Sequence, residues 1–205
     1  MTIKAKLSKP YAHYIGKKIE KWKLTPLQTQ TKVFQNLIEN GAKTQFGKDH
    51  QFDQISDYES FKNLVPINDY EGLKFYFDKI VDGEKDVMWP GKPIYLSKTS
   101  GTTSGIKYIP ITKESMPFHL NAAKYCFLSY IEETGDTSYV AGKMLFLQGS
   151  PILTKTNGIL TGRLSGIVAH HVPAYLLNNR LRSLETNSIE DWEEKVETII
   201  DETIN

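Results

Sequence analysis

The chain has 205 residues, of which 40% are hydrophobic and 24% charged, an ordinary composition for a globular protein. Its 25 basic and 24 acidic residues leave a formal net charge of +1, so no charge excess draws it to nucleic acid or to an anionic membrane. No apolar run reaches membrane-spanning length, and the first 18 residues lack the apolar segment of a signal peptide. The single cysteine, Cys126, excludes an intramolecular disulfide and a cysteine zinc cluster. We expect a cytoplasmic protein in which this thiol is buried and structural.

Residues 1–90 are predicted to be mainly helical, beginning with an amphipathic segment over Tyr11 to Trp22. Thr25-Pro26 is typical of a helix start, an N-cap followed by proline at the first helical position, and Gly41 is a natural stop. The face of this helix would carry Leu27, Gln30, Phe34, Leu37 and Ile38. Two shorter helices are predicted: one capped by Ser56 and carrying Tyr58, Phe61 and Leu64, the other opened by Asp69, carrying Leu73, Phe77 and Ile80, and ended by Asp82-Gly83.

The pattern changes at Trp89-Pro90-Gly91, where short β-rich runs replace helical periodicity. Strands are predicted over 94–96 and 107–111, with a tight polar loop between them, which indicates a hairpin-like connection. A long helix over Ser115 to Glu132 is apolar on nearly all sides, which predicts burial on several faces or the lining of a cavity. We therefore predict an α/β fold in which the helical segment 1–90 packs on a mixed β-sheet within 91–205.

The remaining elements are weaker patterns. A buried strand is predicted over 144–147, an irregular Gly/Ser/Thr-rich stretch over 149–166 and a strand over 167–169, whereas 172–181 is ambiguous. Ser188 and Asp191 are predicted to form a capping pair before a final helix. The acidic run 190–194 is interpreted as the solvated face of that helix.

The apolar stripe of the final helix runs to the end of the chain without a glycine or proline stop. It comprises Ile189, Trp192, Val196, Ile199, Ile200 and Ile204. We therefore expect residues 1–205 to be a partial N-terminal, or large, domain of a longer protein. Part of the stripe should be exposed and should favour self-association of this fragment.

The segment Thr99 to Lys107 reads Thr-Ser-Gly-Thr-Thr-Ser-Gly-Ile-Lys and is predicted to bind phosphate. Its two glycines relieve steric limits on the backbone, so that successive amides can face one anion. The hydroxyls add uncharged donors, and Lys107 supplies a mobile cation. The segment is not a Walker A loop, because three residues rather than four separate its glycines and a strand-like segment follows. A flexible hairpin turn is the simpler alternative for a Gly/Ser/Thr cluster.

The order of these residues resembles the loop Thr-Ser-Gly-Thr-Thr-Gly-x-Pro-Lys of acyl-adenylate-forming enzymes. Ser104 intrudes before Gly105 and no proline precedes Lys107, but the lysine keeps its offset from Gly101. With Tyr108-Ile109-Pro110 following, the chain is similar to the Gretchen Hagen branch, the auxin-responsive acyl acid amido synthetases and their bacterial relatives. Three further motifs fit that branch: Thr44-Gln45-Phe46-Gly47, Val65-Pro66-Ile67 and Trp89-Pro90-Gly91.

The resemblance implies a ligase that uses ATP and Mg²⁺ to activate a small carboxylic acid and then passes the acyl group to an amine, usually an amino acid. It assigns the ATP phosphates to Ser100, Gly101, Thr102, Thr103, Ser104 and Lys107. It also implies acyl-substrate contacts from the helix after the loop and from 157–165, with Tyr125, Leu160 and Thr161 as candidates. Plain core packing is the alternative for Tyr125 and Leu160. The adenine and ribose motifs of the family are expected downstream, so this fragment alone should be inactive.

Two other hypotheses stay open beside the amido synthetase. An enzyme of the same superfamily could hand the acyl group to coenzyme A or another thiol. A non-catalytic interaction module could keep the fold and loop without turnover. His170-His171 is not interpreted as a metal site, because adjacent residues on a strand point to opposite faces and no further ligand stands at suitable spacing.

Overall fold

The computed structural model describes residues 3–99, 105–144, 149–173 and 184–204. The helices are α1 (Ile3–Leu24), α2 (Pro26–Gly41), α3 (Gln45–Asp49), α4 (Tyr58–Leu64), α5 (Lys74–Val81), α6 (Met116–Thr134), α7 (Ser138–Ala141), α8 (Leu164–Ala169), α9 (Leu184–Ser188) and α10 (Trp192–Ile204). The strands are β1 (Tyr95–Lys98), β2 (Tyr108–Ile111), β3 (Thr154–Thr156) and β4 (Ile159–Arg163), and Phe52–Gln54 forms one turn of 3-10 helix. The predicted α/β class is confirmed, with strands on both sides of the segment Thr99 to Lys107, which is named the phosphate loop after its predicted role.

The chain divides into two compact units. The helical unit comprises Met1–Lys23, Glu114–Thr154 and Gly162–Asn205, and the sheet unit comprises Leu24–Lys113 and Lys155–Thr161. Among the described helices, none combines the length and apolar character needed to cross a bilayer.

Within the described residues the sheet has four strands, in the order β2-β1-β4-β3. β1 and β2 run antiparallel, with Tyr95 opposite Ile111 and Lys98 opposite Tyr108. Asn157 and Gly158, at φ angles of 47° and 83°, connect β3 to β4. Two consecutive positive φ angles are typical of a two-residue type I′ hairpin turn, which Asn-Gly favours.

Helix packing on the sheet is confirmed in the sheet unit. Leu96 of β1 is fully buried and packs with Ile80 of α5, Val87 and Ile159. A second cluster joins Ile38 of α2 to Phe52 and Ile55, with aromatic rings from α3 and α4 around it. Burial of these apolar side chains provides most of the driving force for folding of this unit.

Two details of the helical segment differ from prediction. Leu27 and Leu37 are 76% and 49% exposed, because the elements that cover α2, the 3-10 turn and α3, pack around Ile38 rather than along the whole predicted face. The cap of α4 is Asp57 rather than Ser56. Asp57 accepts the Ser60 N–H at 2.8 Å while Ser60 Oγ accepts the Asp57 N–H at 3.1 Å, a reciprocal capping box.

The core of the helical unit lies between α1 and α6. Ala12, Ile15 and Ile19 of α1 pack against Leu128 and Ile131 of α6. Among the described residues, Leu128 and Ile131 of α6 are buried against α1, whereas Phe118 is 76% exposed. Burial of α6 on several faces is therefore not found there, and the alternative, that this helix lines a cavity, stays a prediction. Cys126 is exposed as well, which corrects the prediction of a buried thiol.

The segment 149–169 is ordered where an irregular stretch and a strand were predicted. It holds the β3–β4 hairpin and α8. Residues 167–169 belong to α8, and Gly149 N–H donates to Ser165 Oγ at 3.0 Å, tying the start of the segment to that helix. Of the strand predicted over 144–147, only Met144 lies within the described residues, where it forms an isolated bridge. Most of the ambiguous segment 172–181 lies outside them too.

The final helix begins at Trp192, one residue after its cap. Asp191 accepts the Glu194 N–H at 2.9 Å, and Ser188 is the last residue of α9. Ile199 is buried, but Trp192 is 69% and Ile200 48% exposed. The predicted exposure of the stripe is therefore confirmed for the chain by itself, and self-association stays a prediction.

The motif Thr44-Gln45-Phe46-Gly47 forms the N-cap and the first three residues of α3. Its cap is expected to contribute to the stability of the fold. Thr44 is fully buried, its Oγ1 donates to Gly41 O at 2.7 Å and it accepts the Gly47 N–H at 3.1 Å. Thr44→Ala should lower the free energy of unfolding by about 1–2 kcal/mol, as expected for a lost N-cap. Urea denaturation measures the change. Thr31→Ala, at an exposed hydroxyl on α2, is the matched control; an equal loss there would contradict the prediction.

Candidate phosphate-binding site

The phosphate-loop segment connects β1 to β2 at the end of the hairpin. Beyond the last strand pair, Thr99 N–H donates to Lys107 O at 3.0 Å, and Lys107 N–H donates to Thr99 Oγ1 at 3.3 Å. These two bonds close the stem of the loop. Ser100, Gly101, Thr102, Thr103 and Ser104, which carry most of the predicted phosphate contacts, lie outside the described residues.

Gly105 returns the chain toward β2 with a φ angle of 81°. A β-carbon at this position would meet none of the described atoms within 4 Å. Glycine is favoured here by the left-handed backbone conformation. This agrees with the predicted role of glycine in turning the loop backbone.

Lys107 is the basic residue of the loop, it lies within the described residues, and its side chain is half-buried. Its Nζ lies 5.0 Å from the centroid of the Tyr70 ring, a distance at which the ammonium is attracted to the π-face. Within the described residues, no carboxylate forms an ion pair with it. The positive charge is thus not neutralised by an acidic side chain in this part of the chain.

Tyr70 is a neighbour of the loop that sequence reasoning missed. Its Oη accepts the Tyr108 N–H at 3.2 Å, and its ring stacks on Phe77 with centroids 4.6 Å apart and planes at 12°. The helix predicted to open at Asp69 begins at Lys74 instead. Asp69 still accepts the Gly72 N–H at 2.9 Å, the bond of an N-cap, but residues 70–73 form a turn. Tyr70 lies in that turn, and the Val-Pro-Ile motif upstream gave no indication of its contacts.

The predicted acyl-lining residues occupy two units. Thr161 is buried on β4, with its Oγ1 3.1 Å from both Thr156 Oγ1 and Ile159 O. Leu160 lines an open pocket of about 760 Å³, together with Lys92 and Ile94. This pocket lies where β1 begins, whereas the phosphate loop follows the end of β1, roughly 13 Å further along a strand of this length.

Tyr125 lies in the helical unit, where it is half-buried and packs against the α1–α6 core. This contact accounts for the side chain by packing alone. The assignment of Tyr125, Leu160 and Thr161 to an acyl substrate stays a prediction.

The two adjacent histidines are placed at a helix end and not on a strand. His170 follows the last residue of α8, and its Nε2 lies 2.7 Å from Pro151 O. The described ranges contain no group of three or more His, Cys, Asp or Glu side chains that could hold a metal ion.

Three side chains with displaced pKa values, Tyr76, Asp57 and Asp136, take part in contacts that stabilise the fold. Burial, followed by the hydrogen bond that its Oη donates to Asp49 at 2.9 Å, raises the pKa of Tyr76 to about 12. Hydrogen bonds from the backbone and side chain of Ser60 lower the pKa of Asp57, and those from Ser138 lower the pKa of Asp136. These three groups belong to packing contacts and turns, so their titration reports on stability.

The raised pKa of Tyr76 gives a pH prediction. Above the ordinary value of 10.0, the unfolded chain releases this proton while the folded chain retains it up to about 12. Stability is therefore present below pH 10 and is lost as the pH rises through this window. Between pH 9.5 and 11.5, the melting temperature of the wild-type protein should fall more steeply with pH than that of Tyr76→Phe. Tyr11→Phe, at an exposed ring on α1, should follow wild type; parallel curves for all three would contradict the prediction.

Comparison with known proteins defines the protein family to which this chain belongs. The model of the GH3 family N-terminal domain matches residues 15–199, and the chain therefore belongs to the GH3 family. The fold is that of the GH3.15 acyl acid amido synthetase, with a TM-score of 0.70 and 20% identity over 90% of this chain and 32% of that one. A structure titled AtGH3.15 acyl acid amido synthetase in complex with 2,4-DB matches with a TM-score of 0.64, 23% identity and coverage of 80% and 28%.

Curated relatives include a jasmonoyl–L-amino acid synthetase, JAR4 of Nicotiana attenuata. It is 30% identical over 136 residues, which cover 65% of this chain and 23% of the relative. The indole-3-acetic acid-amido synthetase GH3.15 of Arabidopsis thaliana is 33% identical over 91 residues, or 43% of this chain and 15% of the relative. The chain thus spans less than a quarter of the length of these two relatives.

Proposed function

We propose that the protein containing this chain activates a small carboxylic acid with ATP and transfers the acyl group to an amine, in particular an amino acid. In the first step a carboxylate oxygen attacks the α-phosphorus of ATP, the bond to the bridging oxygen breaks, and pyrophosphate leaves. In the second step the amine nitrogen attacks the acyl carbonyl, its proton is lost, and AMP leaves. Residues 1–205 would form part of the large domain, and the setting would be cytoplasmic.

The observation that carries the proposal is the loop closed by Thr99 and Lys107 in a chain of this family. Gly105 stands in a left-handed conformation and Lys107 has a cation without a carboxylate partner among the described residues. Both features suit an anion. With the hydroxyls and amides of Ser100 to Ser104, Lys107 would stabilise the negative charge that develops on the departing pyrophosphate. Mg²⁺ would arrive as the counter-ion of ATP and share that role.

ATP–pyrophosphate exchange by the full-length protein tests the first step. We expect labelled pyrophosphate to enter ATP only when a suitable carboxylic acid is present, and a panel of acids identifies the substrate. A folded full-length protein that exchanges with no acid would contradict the proposal and favour a non-catalytic interaction module.

The acceptor is tested separately, because a thiol acceptor is the alternative within the same superfamily. With the active acid and ATP, the enzyme is given either a mixture of amino acids or coenzyme A. Mass spectrometry should detect an amide conjugate. A thioester with coenzyme A and no amide would overturn the amine assignment but leave acid activation intact.

A further inference from the structure

We propose that Tyr70 is a positioning residue for Lys107. Its ring holds the ammonium and its hydroxyl anchors the start of β2, so that the cation stands ready for the phosphates of ATP. This inference rests on the proposed function and adds to it a residue outside the loop. Tyr70 precedes Tyr108 by 38 positions.

The ring of Tyr70 provides the first contact. Lys107 Nζ lies 5.0 Å from its centroid, within the range in which a cation–π attraction is appreciable. The ring takes up one side of the ammonium, and no acidic side chain of the described residues pairs with it. N–H donors on its other side can therefore bind phosphoryl oxygens. Ring contact and phosphate binding are therefore compatible.

The hydroxyl of Tyr70 provides the second contact. In the part of the chain that the structure describes, β2 is the last strand at one edge of the sheet, so no described strand pairs with the backbone N–H groups on its outer side. Tyr70 Oη accepts one of these, the N–H of Tyr108, the residue directly after Lys107. One side chain thus contacts both the lysine ammonium and the backbone that carries the lysine.

The position of Tyr70 is itself held by its surroundings. Its ring stacks nearly parallel on Phe77 of α5, with centroids 4.6 Å apart. The turn that contains Tyr70 is closed by Asp69, which accepts the Gly72 N–H at 2.9 Å. α5 is anchored in the core through Ile80, which is 5% exposed. The support for Lys107 therefore extends into the folded body of the sheet unit.

Preorganisation explains why this support matters. A lysine ammonium sits on a flexible four-carbon stem, and ordering that stem on binding reduces affinity. A lysine already placed on an aromatic ring loses less freedom when phosphate arrives. Removal of the ring should therefore weaken ATP binding without altering the chemistry of the reacting atoms.

The test is the split between KM and kcat in ATP–pyrophosphate exchange by the full-length protein. Tyr70→Leu should raise the KM for ATP about 3- to 30-fold, the range expected for a lost cation–π contact, while kcat changes less. Tyr70→Phe keeps the ring and loses only the hydroxyl, so its KM should stay closer to wild type. A melting curve for each variant confirms that the protein is folded.

A double-mutant cycle with Lys107→Met distinguishes positioning from a general structural role. If Tyr70 acts through Lys107, Tyr70→Leu should raise the KM for ATP far less in the Lys107→Met background. Tyr58→Leu is the matched control, because Tyr58 forms the same ring–ammonium contact with Lys62 at 5.4 Å on α4; its KM should be unchanged.

Three outcomes would overturn the inference. An unchanged or lower KM for ATP in Tyr70→Leu would show that the ring does not assist the lysine. An equal effect of Tyr70→Leu with and without Lys107 would show that it acts by another route. In both cases wild-type exchange activity leaves the proposed function standing. Wild-type protein that shows no exchange with any acid would overturn the function and this inference together.

Discussion

Thr102→Ala is expected to reduce ATP–pyrophosphate exchange by the full-length protein roughly 10- to 1000-fold. The upper end is what one preorganised hydrogen-bond donor contributes to a charged transition state. Gly101→Val should harm the loop by a different route, since a β-branched side chain would block the close approach of backbone amides to phosphate. The measurement is exchange activity beside the melting temperature of the same variants.

The controls separate a phosphate site from a connector. Thr31→Ala makes the same chemical change at an exposed position on α2 and should leave exchange unchanged. We expect both loop variants to remain folded, so that the loss appears in activity and not in melting temperature. If Gly101→Val and Thr102→Ala were folded and kept full exchange activity, the segment would be a hairpin turn that does not bind phosphate.

Gly47→Ala is expected to produce the largest loss of stability, about 3 kcal/mol, the upper end of the usual range for overpacking. A β-carbon at this position would collide with the backbone oxygen of Gly41 and stand 2.6 Å from its carbonyl carbon. Backbone atoms cannot rotate away as a side chain does. α3 is also tied in place, because Gln45 N–H and Phe46 N–H donate to Asp86 O and Val87 O at 2.8 and 2.9 Å.

Gly16→Ala on α1 is the matched control for Gly47→Ala. The three atoms nearest to its β-carbon would all belong to the Glu132 side chain, the closest at 3.1 Å. This side chain can shift by a few tenths of an ångström more readily than backbone can, although its Oε1 lies 2.8 Å from His13 Nδ1. Replacing a helical glycine by alanine then favours the helix by up to about 1 kcal/mol. Urea denaturation should therefore move the two midpoints in opposite directions. Equal and small shifts would contradict the collision argument.

Signals carried by neighbouring residues predicted the local structure well. Thr25-Pro26 and Gly41 marked the ends of α2. Proline preorganises the first helical turn, and Gly41 is the last residue of the helix, where a β-carbon would lie 2.6 Å from the Phe52 ring. The strands around the phosphate loop were found because β-rich runs flank a cluster of turn residues. The Asn157-Gly158 dipeptide is a hairpin signal of the same kind, although the stretch that contains it is predicted to be irregular.

Predictions of side-chain exposure were less successful, because exposure depends on which helices and strands pack against each other in the fold. α6 is apolar around much of its circumference, yet α1 covers only the side that carries Leu128 and Ile131. Cys126 and Phe118 were expected inside on apolar character alone and lie exposed. Apolar composition states what a side chain would gain from burial, but a packing partner decides whether burial occurs.

The sequence by itself determined the class of this protein, since the order of residue types over 99–107 resembles that of a loop in adenylate-forming enzymes. Only the tertiary structure brought Tyr70 to Lys107 and Tyr108. These residues lie on a turn before α5 and on β2, and no local pattern links them. The physical reason is that periodicity and capping act over a few residues. Contacts across 38 positions arise only when burial of Ile80 and Leu96 packs α5 against the sheet.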